Sequence, residues 1–260
     1  MDDAMLLEVC RSVGEGIRSV LGNLEDWGLA GTRPGQYRSD LAADAIAVDH
    51  LVGAGLGVLS EESGLHAPDR ELLAVVDPVD GSTNASRGFP WFATSICVLD
   101  GEGPLVAYVV NQSTGTTYEA VRGAGATRDG VAIAPSARTA LGESIVGLSG
   151  FPHHYLGWRQ YRAFGAAALD LCCVADGALD AYLDCSSSAH GPWDYLGGML
   201  VCTEAGAVVG ETESRPLVVR QHADRRSPVA AGTPALLGEV LEGFAASRRA
   251  ARSRDRTASQ

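Results

Sequence analysis

Apolar residues recur at helical spacing over residues 4–21, at Met5, Leu6, Val9, Val13, Ile17, Val20 and Leu21, and again over residues 40–56. Both stretches predict helices that pack one face on a sheet. Short β-branched runs follow at residues 57–60, 72–76, 92–98, 105–111 and 116–121, divided by Gly- and Asp-rich turns. They predict a mainly antiparallel sheet. Beyond residue 150 the pattern changes to small-residue helical spacing over 163–174 and 195–204, with a strand at 179–183 between them. A second α/β layer is therefore expected, with helices covering sheets. No internal repeat is found.

The chain has 260 residues, 46% of them hydrophobic, enough for a single large domain over residues 1–246 built of two halves, about 1–150 and 151–246. No apolar run reaches the roughly 18 residues of a membrane span, and Asp2 and Asp3 do not suit a signal peptide. The expected location is cytoplasmic. Six scattered cysteines, Cys10, Cys97, Cys172, Cys173, Cys185 and Cys202, lack zinc-site spacing and are expected to be reduced and mostly buried.

The formal charge of −12 is uneven: residues 247–260 carry five Arg against Asp255 alone, a local +4, so the preceding body carries −16. Such a body repels nucleic acid. The basic terminal stretch is polar throughout and is expected to be a disordered tail. Every basic residue is Arg, since the sequence holds no Lys. A Schiff-base lysine and a Walker-type phosphate lysine are excluded. Gly53-Ala-Gly55 and Gly123-Ala-Gly125 lack the strand-to-helix setting of a nucleotide fingerprint and read as turns. No G-x-S-x-G elbow is present.

The chemistry concentrates in three segments. In Leu72-Leu-Ala-Val-Val-Asp77-Pro78-Val79-Asp80-Gly81-Ser82-Thr83-Asn84 an apolar run leads into two carboxylates. Pro78 should stop the strand and turn it, bringing Asp77 and Asp80 together. Converging carboxylates suit a hard cation such as magnesium, and Gly81, Ser82 and Thr83 offer N–H groups and hydroxyls to a phosphate. An Asx-type turn with capping hydroxyls is the competing reading. Upstream, Ser60-Glu61-Glu62-Ser63 repeats the strand end with paired acids, whose side chains face opposite ways on an extended chain. Downstream, Gly191-Pro192-Trp193-Asp194 opens the pattern that ends in Glu204-Ala205-Gly206, where Asp194 is either a helix cap or a ligand.

Together these segments resemble the inositol monophosphatase family, with its E-E-S strand end, D-P-[IV]-D-G-[TS] loop and later W-D before a small-residue helix. The resemblance spans roughly residues 38–231 and includes Gly165-Ala166-Ala167-Ala168-Leu169 and Gly177-Ala-Leu-Asp180-Ala-Tyr182. It implies a layered αβαβα sandwich and two to three magnesium ions. Glu61, Asp77 and the Val79 carbonyl match one metal site, and Asp77, Asp80 and Asp194 another. Glu61 and Ser82 match the residues that activate water. Asp80, Gly81, Ser82, Thr83 and Asp194 match positions around the phosphate, and Gly165, Ala166 and Asp184 match positions bordering the alcohol. The implied reaction is hydrolysis of a small phosphorylated alcohol, first an inositol monophosphate, by metal-activated water, and relatives are often homodimers.

Two departures bear on substrate. Where relatives carry a K-x-D-x-V-T-x-x-D-like run, this chain has Tyr37-Arg38-Ser39-Asp40-Leu41-Ala42-Ala43-Asp44, without the Lys and Thr. Asp44 matches the acidic end of that run, and Arg38 is the cation nearest the missing Lys. The stretch from Cys185 to His190 is longer than usual, and His190, His153 and His154 are expected in solvent. Histidinol phosphate, a sugar bisphosphate or a phosphoadenosine are alternative substrates within the family, and a metal-binding pseudoenzyme is the alternative outside catalysis. The acidic body disfavours polyanions.

Overall fold

The computed structural model describes residues 1–187 and 189–258, the last seven by backbone alone. Helices α1 (Asp3–Gly22) and α2 (Arg38–Gly53) form where the apolar spacing predicts them. Asp2 caps α1 by accepting from the Met5 N–H at 2.8 Å, which satisfies one of the free donors of the first turn. Leu6, Cys10, Val13, Ile17 and Leu21 make one buried stripe and cover the outer face of an eight-stranded sheet.

That sheet contains β1 (Gly57–Ser60), β2 (Gly64–His66), β3 (Leu73–Asp80), β4 (Ala93–Leu99), β5 (Pro104–Asn111), β6 (Thr117–Val121), β7 (Gly125–Arg128) and β8 (Val131–Ala132), in the order β2-β1-β3-β4-β5-β6-β7-β8. Only β1 and β3 pair in parallel. A single helical turn, α3 (Ser82–Ser86), follows β3. The second sheet begins at Ile145, a few residues before the expected division at 150. Its strands β9 (Ile145–Ser149), β10 (Gln160–Arg162), β11 (Ala181–Asp184), β12 (Val208–Glu211) and β13 (Pro228–Ala231) lie in the order β10-β9-β11-β13-β12.

Between the sheets lie α4 (Ala167–Ala175) and α5 (Pro192–Ala205), whose small residues permit close approach. A Cβ at Gly197 would stand 2.7 Å from the Ser95 hydroxyl of β4, and one at Gly198 would stand 2.6 Å from Leu171 Cβ. Helix α6 (Pro234–Ala258) covers the far face of the second sheet with Leu236, Val240 and Phe244. The layers therefore run helices, sheet, helices, sheet, helix, the expected αβαβα sandwich. Each fully buried Leu, Ile or Val in them contributes about 1.5–3 kcal/mol.

Where the sequence predicts a disordered tail, the backbone of residues 247–258 continues α6, while residues 259 and 260 lie outside the described residues. Ala and Arg are strong helix formers, and polarity alone does not break a helix already begun on a buried stripe. The cysteines are free, with only Cys185 partly exposed. No described helix is long and apolar enough to cross a membrane.

Candidate active site

Strand pairing brings the first two carboxylates together. Ser60 stands opposite Val76 in the parallel β1–β3 ladder, and the Glu61 N–H continues it by donating to the Val76 carbonyl at 3.2 Å, which places Glu61 beside Asp77. The expected strand stop at Pro78 is corrected. Strand β3 runs on to Asp80 through a bulge, with Asp77 opposite Ser95 and Asp80 opposite Ala93. Residues three apart on a regular strand face opposite sides, and the extra residue of the bulge restores a common side. Pro78 fits there because a bulged residue needs no ladder N–H. The Val79 N–H donates to Asp77 Oδ1 at 3.0 Å and fixes the turn.

Asp194 arrives on the first turn of α5, which the close approach at Gly197 seats against β4. It is both a cap and a site residue. Its Oδ2 accepts from the Gly191 N–H at 2.6 Å, while the carboxylate lies with those of Glu61 and Asp77 so that one oxygen from each falls within 4.8 Å of the others. Asp80 stands outside that trio; its Oδ2 accepts from the Ala168 N–H at 2.7 Å at the start of α4. It still feels the Asp194 charge. Burial and the neighbouring carboxylates push Glu61 and Asp80 up to about 8, and hold Asp77 well above the usual carboxylate range. Acids in mutual repulsion, Asp77 and Asp80 buried and Glu61 and Asp194 partly so, offer only oxygen donors and fit a hard divalent cation such as magnesium.

Glu61 and Glu62 lie in the turn between β1 and β2 rather than on an extended strand, so the alternation expected of them does not apply. Glu62 is outside the trio and receives Arg33 and Gln36, drawing the segment before α2 toward the site. Arg38, the cation expected near the missing Lys, pairs instead with Asp26 on the surface at 2.7 Å. Asp44 accepts from the Ser60 hydroxyl, and that hydroxyl accepts from the Glu62 N–H at 3.1 Å. The acidic end of that segment thus braces the Glu61 strand end. Asp40 accepts from the Tyr37 N–H at 2.8 Å, and burial raises it to about 6.

The turn after β3 meets the second half directly. Gly81 has φ +85°, open to glycine, and a Cβ there would lie 3.0 Å from the Gly165 carbonyl and 3.1 Å from Ala166 Cβ. Thr83 Oγ1 lies 3.3 Å from the Tyr37 hydroxyl. Asn84 clasps both halves, donating from Nδ2 to the Trp91 carbonyl at 2.8 Å and the Phe164 carbonyl at 2.7 Å. Asn84→Ala, which strands both acceptors, is expected to cost about 1–3 kcal/mol of stability, readable as a lower urea midpoint.

On the alcohol side the expectation for His190 is corrected. Asp184 is fully buried, with Oδ1 accepting from Ser186 and Oδ2 without a hydrogen bond among the described residues. Burial raises it. His190, expected in solvent, is only 15% exposed in its side chain and stands between the two acids, with Nδ1 3.4 Å from Asp194 and Nε2 3.8 Å from Asp184. Burial works against its charge, yet the surrounding Asp194, Asp184 and Asp80 hold it up at about 9. A two-residue bridge to Arg226 inserts it there.

A strap over the trio escaped sequence reasoning altogether. Residues 212–227 join β12 to β13, and their base is gathered by buried Glu211, which accepts from the N–H groups of Glu213, Arg215 and Ser227. Near the far end, His222 Nε2 lies 2.9 Å from the Glu61 carbonyl and its ring packs on Trp193 at 4.8 Å. Arg225 lies over the same indole at 5.0 Å. Strap, Glu61 and Ser82 enclose a cavity of roughly 240 Å³, closed opposite by Arg33 and Gln36. The cavity opens onto acids, a hydroxyl and cations together.

The inositol monophosphatase family matches residues 54–251. A fructose-1,6-bisphosphatase from Pyrococcus furiosus is 30% identical over 205 residues, 78% of this chain and 80% of that one. An inositol-1-monophosphatase from Mesorhizobium japonicum is 30% identical over 230 residues, 80% of this chain and 85% of that one. The solved inositol monophosphatase of Anabaena superposes with a TM-score of 0.77 at 25% identity, covering 92% of this chain and 95% of that one. The fold and these matches define a phosphoric monoester hydrolase. The chain belongs to the inositol monophosphatase family.

Proposed function

We propose that this phosphatase hydrolyses a small phosphorylated alcohol with magnesium held by Glu61, Asp77, Asp80, Asp194 and the Val79 carbonyl, in two to three ions, and that an inositol monophosphate is the first candidate substrate. The observation that carries the reading is the Glu61, Asp77 and Asp194 trio beside the Ser82 cavity. Magnesium, when bound there, lowers the pKa of water and neutralises charge on the phosphate and the leaving alkoxide.

The chain's own part follows from its geometry. Glu61 and the Ser82 hydroxyl line one cavity, where they orient the attacking water and Glu61 accepts its proton, a contribution typically of about 10²–10⁴-fold. Gly81, Ser82 and Thr83 present their N–H groups and hydroxyls to the phosphate. Asp80 keeps one oxygen on the α4 start and turns its charge to the metal. Gly165 and Ala166, packed on the Gly81 turn, mark the side on which the alcohol lies, and Asp184 acts there through His190 rather than by contact. The net charge of −12 favours one phosphate over several.

The test is phosphate release from inositol 1-phosphate, histidinol phosphate, fructose 1,6-bisphosphate and phosphoadenosine phosphate, each with magnesium and with chelator. Magnesium-dependent release, fastest from inositol 1-phosphate, is the expected result. Release that survives the chelator overturns the metal assignment, and preference for another compound overturns the substrate.

A further inference from the structure

We propose that Arg225 is an anion-binding residue of the site, its guanidinium receiving a phosphate oxygen in the cavity between Glu61 and Ser82. Two guanidinium groups line that cavity, and they are not equivalent. Arg33 is spent on Glu62. Arg225 has no carboxylate partner among the described residues; only its Nη1 is used, donating to the His222 and Asp224 carbonyls at 2.7 and 2.8 Å. Its Nε and Nη2 remain available as a fork, which is the geometry that grips phosphate.

The mounting supports this. The guanidinium lies over Trp193, one residue from Asp194, and the strap that carries it is tied to the Glu61 carbonyl through His222, to Glu211 at its base, and to Tyr195, whose hydroxyl donates to the Leu217 carbonyl at 2.7 Å. A flat cation on an indole is held without losing its charge. The cavity also holds the carboxylates of Asp40, Glu61 and Glu62, so an anion enters only once cations neutralise the acids. Anion binding through Arg225 must therefore depend on magnesium.

This assignment rests on the metal-assisted reading above, and the test separates the two. Inorganic phosphate and methylenediphosphonate, a non-hydrolysable probe with two anionic groups, are titrated calorimetrically into the full chain with magnesium. Arg225→Met keeps the apolar stem on Trp193 and drops the charge; Arg225→Lys keeps the charge and drops the fork. Arg225→Met is expected to weaken binding about tenfold or more, the loss of a hydrogen bond to a charged group, with Lys recovering part, while magnesium affinity and Tm stay. Weaker inorganic phosphate places Arg225 on the phosphate that is released; weaker methylenediphosphonate alone places it on a second anionic group. Unchanged binding of both probes overturns the role of Arg225, as does a loss matched by falling magnesium affinity and Tm. A wild-type chain that binds neither probe with magnesium overturns the metal-assisted reading as well.

Discussion

Replacing Asp77 with Asn is expected to lower kcat/KM by about 10³-fold, the equivalent of several kcal/mol of lost charge stabilisation in the transition state, while making the metal-free protein harder to unfold. The amide oxygen can still accept from the Val79 N–H, which Asp77 Oδ1 does now at 3.0 Å, so the bulge and its strand survive. What disappears is a buried carboxyl whose ionisation is opposed by burial and by Glu61, Asp80 and Asp194. Losing it weakens the grip on a cation and removes the cost, borne by the metal-free fold, of either charging that group or holding a proton on it. Stability and activity thus move in opposite directions, as they do where a site holds charge that the fold alone would reject. Thermal unfolding in chelator should shift upward, by about 2–4 °C for each kcal/mol gained, and the shift caused by adding magnesium should shrink. Near-normal turnover, or a lower Tm in chelator, would remove Asp77 from the metal site.

The parts of this arrangement legible in the sequence are those set by local periodicity. Helices α1 and α2 and strands β1, β3, β4, β5 and β6 of the first sheet follow from spacing alone, whereas the short β2, β7 and β8 do not. The two carboxylate strand ends were legible too, because an apolar run ending in acids is a local pattern. How Asp77 and Asp80 converge was not, since a proline can end a strand or sit in a bulge, and the register against Ser95 and Ala93 decides which. The strap was illegible for a different reason. Its mostly polar, aperiodic residues, interrupted by Leu217-Val218-Val219, resemble any surface loop, and His222 gains its meaning from a carbonyl 161 residues away. His190 is a similar case, buried by its bridge to Arg226 and by the Tyr182 and Ser149 hydroxyls at 3.3 and 3.2 Å. Strands β9, β10, β12 and β13 are three to five residues long, too short for a period to declare itself. The apolar stripe at the start of α6 is followed by Arg-rich turns that read as disorder.

In the presence of chelator, stability is expected to fall as pH rises from about 4.5 to about 8, and magnesium is expected to restore most at the alkaline end. The sign follows from which state holds more protons. Glu61 is raised from 4.5 to about 8 and Asp80 from 3.8 to about 8, and Asp77 moves the same way. Between the unfolded and folded values the native state binds more protons than the unfolded chain, so stability declines with pH across that window. Asp40 at about 6 and Asp170 at about 7 add to the decline. His190, raised from 6.5 to about 9, contributes stability that is complete below 6.5 and is lost as pH passes 9, so it reinforces the slope. Glu211 and Asp100 are shifted downward and lose their contribution only as pH falls below the ordinary carboxylate range, outside the window. A cation bound to the acids must displace their protons, so its affinity rises with pH. Saturation at about a hundred times Kd adds about 2.7 kcal/mol, or roughly 5–10 °C for a chain of this size. Calorimetric scans near pH 5 and pH 8, each with chelator and with magnesium, should show the larger magnesium shift at pH 8. An equal shift at both values, or a Tm that climbs with pH in chelator, would mean that the buried acids are not the groups the cation answers.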